Sequence, residues 1–289
     1  MARGDLKEVP LKIYGGRCPL ECKFCSQGTS TEKQTHCTRE ELDSLIDDIE
    51  LGTVAVIGKD YEPFQAQESR YRLVEHAIAR LNERGICYRI ITRNPMALPK
   101  AGLVTKIDRG LASVEISINI FNDGKYIMKG EEWGPYPSQR EYIAEKLFVD
   151  GYDVAIRVSP FRFDDVDFHE LAGLRTDKLI IEYGYDDKVV PTMRREQVRR
   201  FYKELPGKDV FVDNGKTVVT AKEYAFPLGA RRTTFAKKEG TADASKVSDA
   251  AVVEDSSVAG TQGKTLKTAG TKKVNVPTPV KKNGADQKR

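Results

Sequence analysis

Six times between residues 11 and 204, a short run rich in β-branched residues is followed by a stretch with a helical stripe. The strand-like runs are 11–14, 53–57, 88–92, 113–118, 153–159 and 178–182. Thr38 opens the first helix, with Glu41 at the capping-box position and Leu42, Leu45, Ile46 and Ile49 forming the stripe. A helix over 67–84 places Leu73, Ala77, Ile78 and Leu81 on one face and ends at Gly85. Further helices are predicted near 100–109, from a cap at Ser138 (with Glu141 at the box position) to about 150, and over 168–174 and 194–204. Strands separated by helices cannot pair as hairpins, so the pattern predicts a parallel sheet with right-handed crossovers. Six units are too few to close an eight-stranded barrel. The predicted fold is therefore α/β, a partial open (βα)6 TIM-type barrel, whose chemistry belongs beyond the C-terminal strand ends. Residues 209–212 and 217–220 predict a small hairpin around Asn214-Gly215.

Composition divides the chain. Residues 237–289 hold no Phe, Tyr or Trp and carry eleven Lys/Arg against six Asp/Glu. Residues 1–236 carry 36 basic and 37 acidic residues, so the overall charge of +4 comes from the tail. A segment this poor in large apolar groups cannot offset its ordering entropy. The organisation expected is a barrel over 1–205, a small extension over 206–236 and a disordered basic tail over 237–289. Five Cys in 289 residues make no disulfide framework. No apolar run is long enough to span a membrane, and the start MARGDLKEVPLKIYGG lacks the apolar core of a secretory signal. A cytoplasmic protein, with no membrane partner, is the expectation.

The strongest chemical signal is RCPLECKFCSQG, in which Cys18, Cys22 and Cys25 follow the first strand. Three thiolates within eight residues can wrap one metal centre. A [4Fe–4S] cluster normally takes four Cys, so three would leave one iron open to a ligand. Structural zinc also wants four ligands, and Cys37 or His36 is the available fourth. Cys37 and Cys87 otherwise read as structural.

With Phe24 before the last cysteine, the motif resembles that of the radical S-adenosylmethionine (SAM) enzymes. The resemblance covers about 11–205. GKDYEPFQAQE, ITRNP, EISIN and YPSQREYIAEKL…RVSPF look like the spore photoproduct lyase-like branch of that superfamily. It implies two cofactors, a [4Fe–4S] cluster on Cys18, Cys22 and Cys25 and SAM chelated to the open iron. Reductive cleavage of the sulfonium would yield a 5′-deoxyadenosyl radical that abstracts a substrate hydrogen. It also implies SAM contacts. Asp60, with Glu62 as its neighbour, would meet the amino group, and Arg93 the carboxylate. Ser117 and Asn119 would meet the ribose or methionyl part, Arg157 the carboxylate or ribose, and Phe24 the adenine. Strand alternation turns Glu115 inward with Ser117 and Asn119.

One departure bears on substrate. The lyase keeps a hydrogen-donating Cys near the end of strand two, where this chain reads Val56-Ile57-Gly58-Lys59-Asp60. Radical initiation carries over; reversal of a thymine photodimer does not. The resemblance, together with basic pairs at Arg194-Arg195, Arg199-Arg200 and Arg231-Arg232, makes a nucleic-acid base or nucleotide the leading substrate. Residues 121–137 read equally as a substrate lid or a packed loop. The reaction, lyase- or transferase-like, stays open. The enzyme is expected to be a monomer fed by a reductant such as flavodoxin or ferredoxin. One alternative is an activase or peptide modifier on the same core; another is a zinc-stabilised nucleic-acid-binding protein.

Overall fold

The computed structural model describes residues 7–22, 24–25, 30–118, 134–161, 163, 166–183, 191–213 and 218–225. The tail 237–289, Asn119, most of 121–137, the Asn214-Gly215 turn and Arg231-Arg232 lie outside the described residues.

The chain begins with β1 (Glu8–Leu11), β2 (Tyr14–Gly15), β3 (Thr35–His36) and α1 (Arg39–Asp47). It continues through β4 (Val54–Ile57), α2 (Glu68–Tyr71), α3 (Leu73–Arg84), β5 (Cys87–Thr92) and α4 (Ala97–Lys100). Then come β6 (Ala112–Ile118), α5 (Pro137–Val149), β7 (Asp153–Phe161), α6 (Phe168–Gly173) and β8 (Lys178–Tyr183). The last described elements are α7 (Pro191–Glu204), β9 (Asp209–Asp213), β10 (Val218–Thr220) and α8 (Ala221–Ala225).

One sheet runs β1-β4-β5-β6-β7-β8-β9-β10. Its first seven strands are parallel, and β10 returns antiparallel to β9. This is the predicted partial barrel with one parallel strand more than expected, because β9, the first strand of the predicted hairpin, pairs parallel with β8. The first strand lies at Glu8–Leu11 rather than 11–14, because Val9–Leu11 pairs with Ala55–Ile57 while Tyr14 leaves the sheet to pair with His36.

Local sequence explains most helix ends. The Thr38 hydroxyl accepts from the Glu41 amide at 3.1 Å, and the Glu41 carboxylate accepts from the Thr38 amide at 2.8 Å. The helix expected over 67–84 is two helices, because Arg72 adopts a left-handed conformation between them. Glu68 folds back there to accept the amides of Val74 and Glu75, and the Tyr14 hydroxyl donates to it at 2.5 Å. The expected cap at Ser138 is displaced: Pro137 takes the first helical position and the Gln139 side chain accepts the Tyr136 amide. The helix expected near 100–109 is replaced by the one-turn α4 and a 3-10 turn at Val104–Lys106.

The sheet's two faces differ. The outer face carries Ile90, Val114, Ile116, Ile156 and Ile181, fully buried in one apolar cluster with Leu42, Ile78 and Leu81 of the helices. Each such side chain contributes about 1.5–3 kcal/mol. The inner face carries buried charge, Arg89, Glu115 and Arg157 lying across it almost without solvent contact, beside a small apolar cluster of Ala155, Ile180 and Val218.

Candidate active site

The cysteine loop is tied at its base. Tyr14 and Gly15 pair with His36 and Thr35, and the Arg17 amide donates to the Glu32 carbonyl at 3.1 Å. Gly16 makes the tight turn at φ +75°, where a Cβ would come within 2.0 Å of the Lys33 carbonyl oxygen. Two further turns follow: Glu21 N–H donates to the Cys18 carbonyl, and Cys25 N–H to the Cys22 carbonyl. Cys18 and Cys22 are buried, Cys25 is half-buried, and none of the five cysteines forms a disulfide. All three loop thiols line one cleft at the C-terminal ends of the strands, with about 900 Å³ of empty space, its open mouth included. Burial pushes the Cys18 thiol up from its ordinary value. Among the described residues, no three His, Cys, Asp or Glu side chains converge so as to share a single metal ion.

The opposite wall is built by strand ends. β4 stops at Gly58, whose φ of +88° swings Lys59, Asp60 and Tyr61 into the cleft wall. Glu62, next in line, is buried and spent on backbone order. It accepts the Thr92 hydroxyl at 2.6 Å, the Arg93 amide at 2.8 Å and the Phe64 amide at 3.1 Å. Burial nevertheless pushes its carboxyl up, against those donors and the charge of Arg140. Asp60, half-exposed, is thus the carboxylate of this pair that is better placed for a ligand.

Arg93 leaves the end of β5 and donates to the Ser159 carbonyl at 2.8 Å and hydroxyl at 3.2 Å. Its guanidinium also lies 4.8 Å from the centre of the Phe24 ring. Ser117, at the end of β6, lines the same cleft, its carbonyl held by Arg140 at 2.9 Å. Of the residues expected at the site, the cleft therefore gathers the three cysteines, Phe24, Asp60, Arg93 and Ser117.

Arg157 stands elsewhere. It is 1% exposed and is not among the cleft-lining residues. It donates to Glu115 at 2.7 and 3.0 Å and to Asp213 at 2.9 Å, and it faces Glu182 at 3.2 Å. Burial opposes its charge, but Glu115, Glu182 and Asp213 outweigh it and push the guanidinium up. The resemblance gave Arg157 a SAM contact; the sequence could not show that three carboxylates from other strands occupy it. Sequence reasoning also missed Ser159, Arg140 and Glu182. Arg140 carried a signal, a cation on the same helical face as buried Ile143, Ala144 and Leu147.

The predicted basic stripe on α7 is partly neutralised. Arg199 pairs with Glu196 at 2.9 Å and Arg200 reaches Glu204 at 3.9 Å. Arg194 stacks 4.7 Å from the ring of Tyr183, a residue of the cleft wall.

No family model matches the chain, and no curated protein matches it in sequence. Solved structures do match its fold. Spore photoproduct lyase, complexed with dinucleoside spore photoproduct, superposes with a TM-score of 0.53 at 15% identity over 71% of this chain and 76% of the lyase. SuiB from Streptococcus suis gives a TM-score of 0.54 at 14% identity over 72% of this chain. The match spans about half of SuiB, 49%. A further structure is SuiB bound to S-adenosylmethionine, with a TM-score of 0.53 at 13% identity over 72% of this chain and 50% of SuiB. The fold of this chain is thus the partial-barrel fold seen in spore photoproduct lyase and SuiB. Among the described residues no helix is long and apolar enough to cross a membrane.

Proposed function

We propose that this chain is a radical SAM enzyme that holds a [4Fe–4S] cluster on Cys18, Cys22 and Cys25 and binds SAM beside it. The carrying observation is that these thiols share one strand-end cleft with Asp60 and Arg93, an acid and a base suited to an amino acid's ammonium and carboxylate. The donor set fits. Thiolates are the ligands of such clusters, and three leave one iron open. A cluster spreads its thiolates over separate irons, so the sulfurs need not meet at one point. Bound together, cluster and SAM supply reductive cleavage of the sulfonium and a hydrogen-abstracting radical.

The chain's own residues bind and orient. Asp60 accepts hydrogen bonds from the SAM ammonium. Arg93 presents its fork to the carboxylate, restrained by Ser159 and by the Phe24 ring. Phe24 packs near the adenine and Ser117 meets the ribose or methionyl part. Asn119 is proposed with Ser117 from the resemblance alone. Arg157 is assigned no SAM contact, because its donors serve Glu115 and Asp213. The electron comes from a reductant such as flavodoxin or ferredoxin, and the protein acts as a monomer.

The substrate proposed is a nucleic-acid base or nucleotide. Arg194 on the cleft-wall ring of Tyr183 puts basic character beside the opening. One fold neighbour was solved with a dinucleoside spore photoproduct. The second reading, a peptide modifier, draws on SuiB, which was solved bound to its precursor peptide SuiA.

The test is anaerobic reconstitution, then SAM and dithionite, with 5′-deoxyadenosine quantified with and without DNA and with Cys22→Ala as blank. Product above the blank, with about four irons per chain, supports the enzyme class. A colourless protein holding one zinc ends it. Stimulation by DNA, irradiated DNA above all, supports the nucleic-acid substrate. Product indifferent to DNA but raised by a peptide supports the second reading.

A further inference from the structure

Lys59, Asp60 and Tyr61, which follow β4, line the cleft and also a smaller hollow beside it, of about 290 Å³. Lys12, Ile13 and Tyr14 line that hollow and continue into a third depression, of about 910 Å³ with its open side included. Thr35 and His36 of β3 line this third depression as well, and Asp60 and Tyr61 are common to all three. The cleft therefore does not end at the Asp60 loop. A groove runs on from it, past the end of β1 and along the hairpin that ties the cysteine loop.

Charge along this groove is one-sided. Lys12 is exposed and, among the described residues, makes no ion pair. Lys59 meets Glu8 only at 3.8 Å, and that carboxylate is held by Arg89 at 2.7 Å. At the outer end the His36 ring lies 4.0 Å from the ring of Tyr71, and the Arg70 guanidinium lies 5.1 Å from the centre of that same ring. Arg70 is exposed and likewise makes no ion pair among the described residues. Among the described residues lining the hollow and the third depression, Asp60 is the only carboxylate, and the reading above gives it to the cofactor. Three cations and the rings of Tyr61, His36 and Tyr71 thus follow one path outward from the cleft.

We propose that this groove binds the phosphodiester backbone of a single strand leading away from the base held in the cleft, with Lys12 and Arg70 as its phosphate contacts and the His36–Tyr71 pair as a platform for an unstacked base. The inference rests on the nucleic-acid reading above and deepens it: the base is presented by a strand. A base delivered to the cleft stays joined to its neighbours, and each neighbour carries a phosphate that must lie on the protein. Cations without a carboxylate partner bind phosphates with release of counterions. Aromatic rings interleaved with cations are the surface on which single strands stack without sequence readout. A concave path takes a chain, whereas a protein partner such as an acidic reductant calls for a broad face.

The test measures salt dependence. A fluorescein-labelled single strand of about 12 nucleotides is titrated against the reconstituted full chain at about 50–300 mM salt, with anisotropy as the readout. Each phosphate contact contributes about 0.7 to the slope of log affinity against log salt. The double variant Lys12→Ala/Arg70→Ala should therefore show a slope smaller by about 1.4 and bind about 10-fold more weakly at about 100 mM salt. Lys100→Ala/Lys146→Ala removes two exposed cations outside the groove and should change the slope by less than about 0.5. The basic tail is present in every chain, so its share cancels. Thermal melts establish that each variant is folded; if the double variant is not, the two single variants carry the comparison, each with half the change in slope. An unchanged slope in the double variant, or an equal loss in the control pair, overturns the assignment and leaves the nucleic-acid reading standing. Intact strand affinity with loss of flavodoxin-driven but not dithionite-driven SAM cleavage overturns it in favour of the reductant. A strand that does not bind the unmodified protein overturns the nucleic-acid reading itself.

Discussion

The Arg93 guanidinium lies 4.8 Å from the centre of the Phe24 ring while it donates to the Ser159 carbonyl at 2.8 Å. One side chain therefore joins the cysteine loop, the end of β5 and the end of β7. Held on both sides, its fork presents a fixed cation to the cleft, and less side-chain entropy remains to be lost when an anion binds.

Arg93→Lys keeps the charge but loses the fork and the stacking geometry. It should lower kcat/KM for SAM cleavage about 10-fold, and Arg93→Ala about 100-fold, in dithionite-driven production of 5′-deoxyadenosine. Iron content should be unchanged in both. Loss of iron in Arg93→Lys would show that the residue serves loop integrity and not cofactor binding.

Asp60 and Glu62 should separate cleanly. Asp60→Asn should weaken SAM binding about 10-fold by calorimetry while unfolding at nearly the wild-type denaturant midpoint. Glu62→Gln keeps one acceptor oxygen but sets an amide donor either against the Arg93 amide or against the Phe64 amide and Thr92 hydroxyl. It should cost about 2–3 kcal/mol of stability by denaturant titration. The opposite pattern would reassign the ammonium contact to Glu62.

Gly58 is required twice over. Its φ is +88°, and a Cβ there would stand 2.1 Å from the Ile91 carbonyl oxygen, which is backbone and cannot swing away. Gly58→Ala should destabilise the fold by about 3 kcal/mol in chemical denaturation. An unchanged midpoint would mean that the β4 loop takes another path.

Arg157→Met tests the buried charge cluster around Glu115 and Asp213. Removing the shared cation takes the Arg157 donors from Glu115 and Asp213, both buried, and should cost about 3–5 kcal/mol in equilibrium unfolding. Whatever fraction stays folded should bind SAM with wild-type affinity. A stable Arg157→Met variant with weakened SAM binding would restore the direct contact expected from the sequence.

Tyr88 gives a pH signature. Its hydroxyl donates to Asn82 at 2.9 Å and accepts the Asp108 amide at 3.2 Å, and burial pushes the phenol up to about 12. The folded value lies above the ordinary phenol value of about 10. Its contribution to stability is therefore complete below about pH 10 and is lost as pH rises through about 12. Tyr88→Phe should flatten that alkaline fall in stability and lower stability at neutral pH by about 1 kcal/mol, by denaturant titration across pH. An equally steep fall in the variant would assign the effect to other groups.

Periodicity alone determined that residues 53–182 alternate strands with helices, and the crossover rule turned that alternation into a parallel, curling sheet. The CxxxCxxC spacing brought three thiols together because so short a loop can do little else. That Asp60, Arg93 and Ser117 would line one cleft was legible because each sits at or just beyond the end of a strand, and parallel strands deliver their ends to one rim. What a residue touches across the sheet was not legible, because it depends on register between segments far apart in sequence. Arg157 and Glu115 are 42 residues apart, and Arg157 and Asp213 are 56 apart. Only the parallel pairing of β6, β7, β8 and β9 made them neighbours, took Arg157 out of the cleft and left Glu182 facing it.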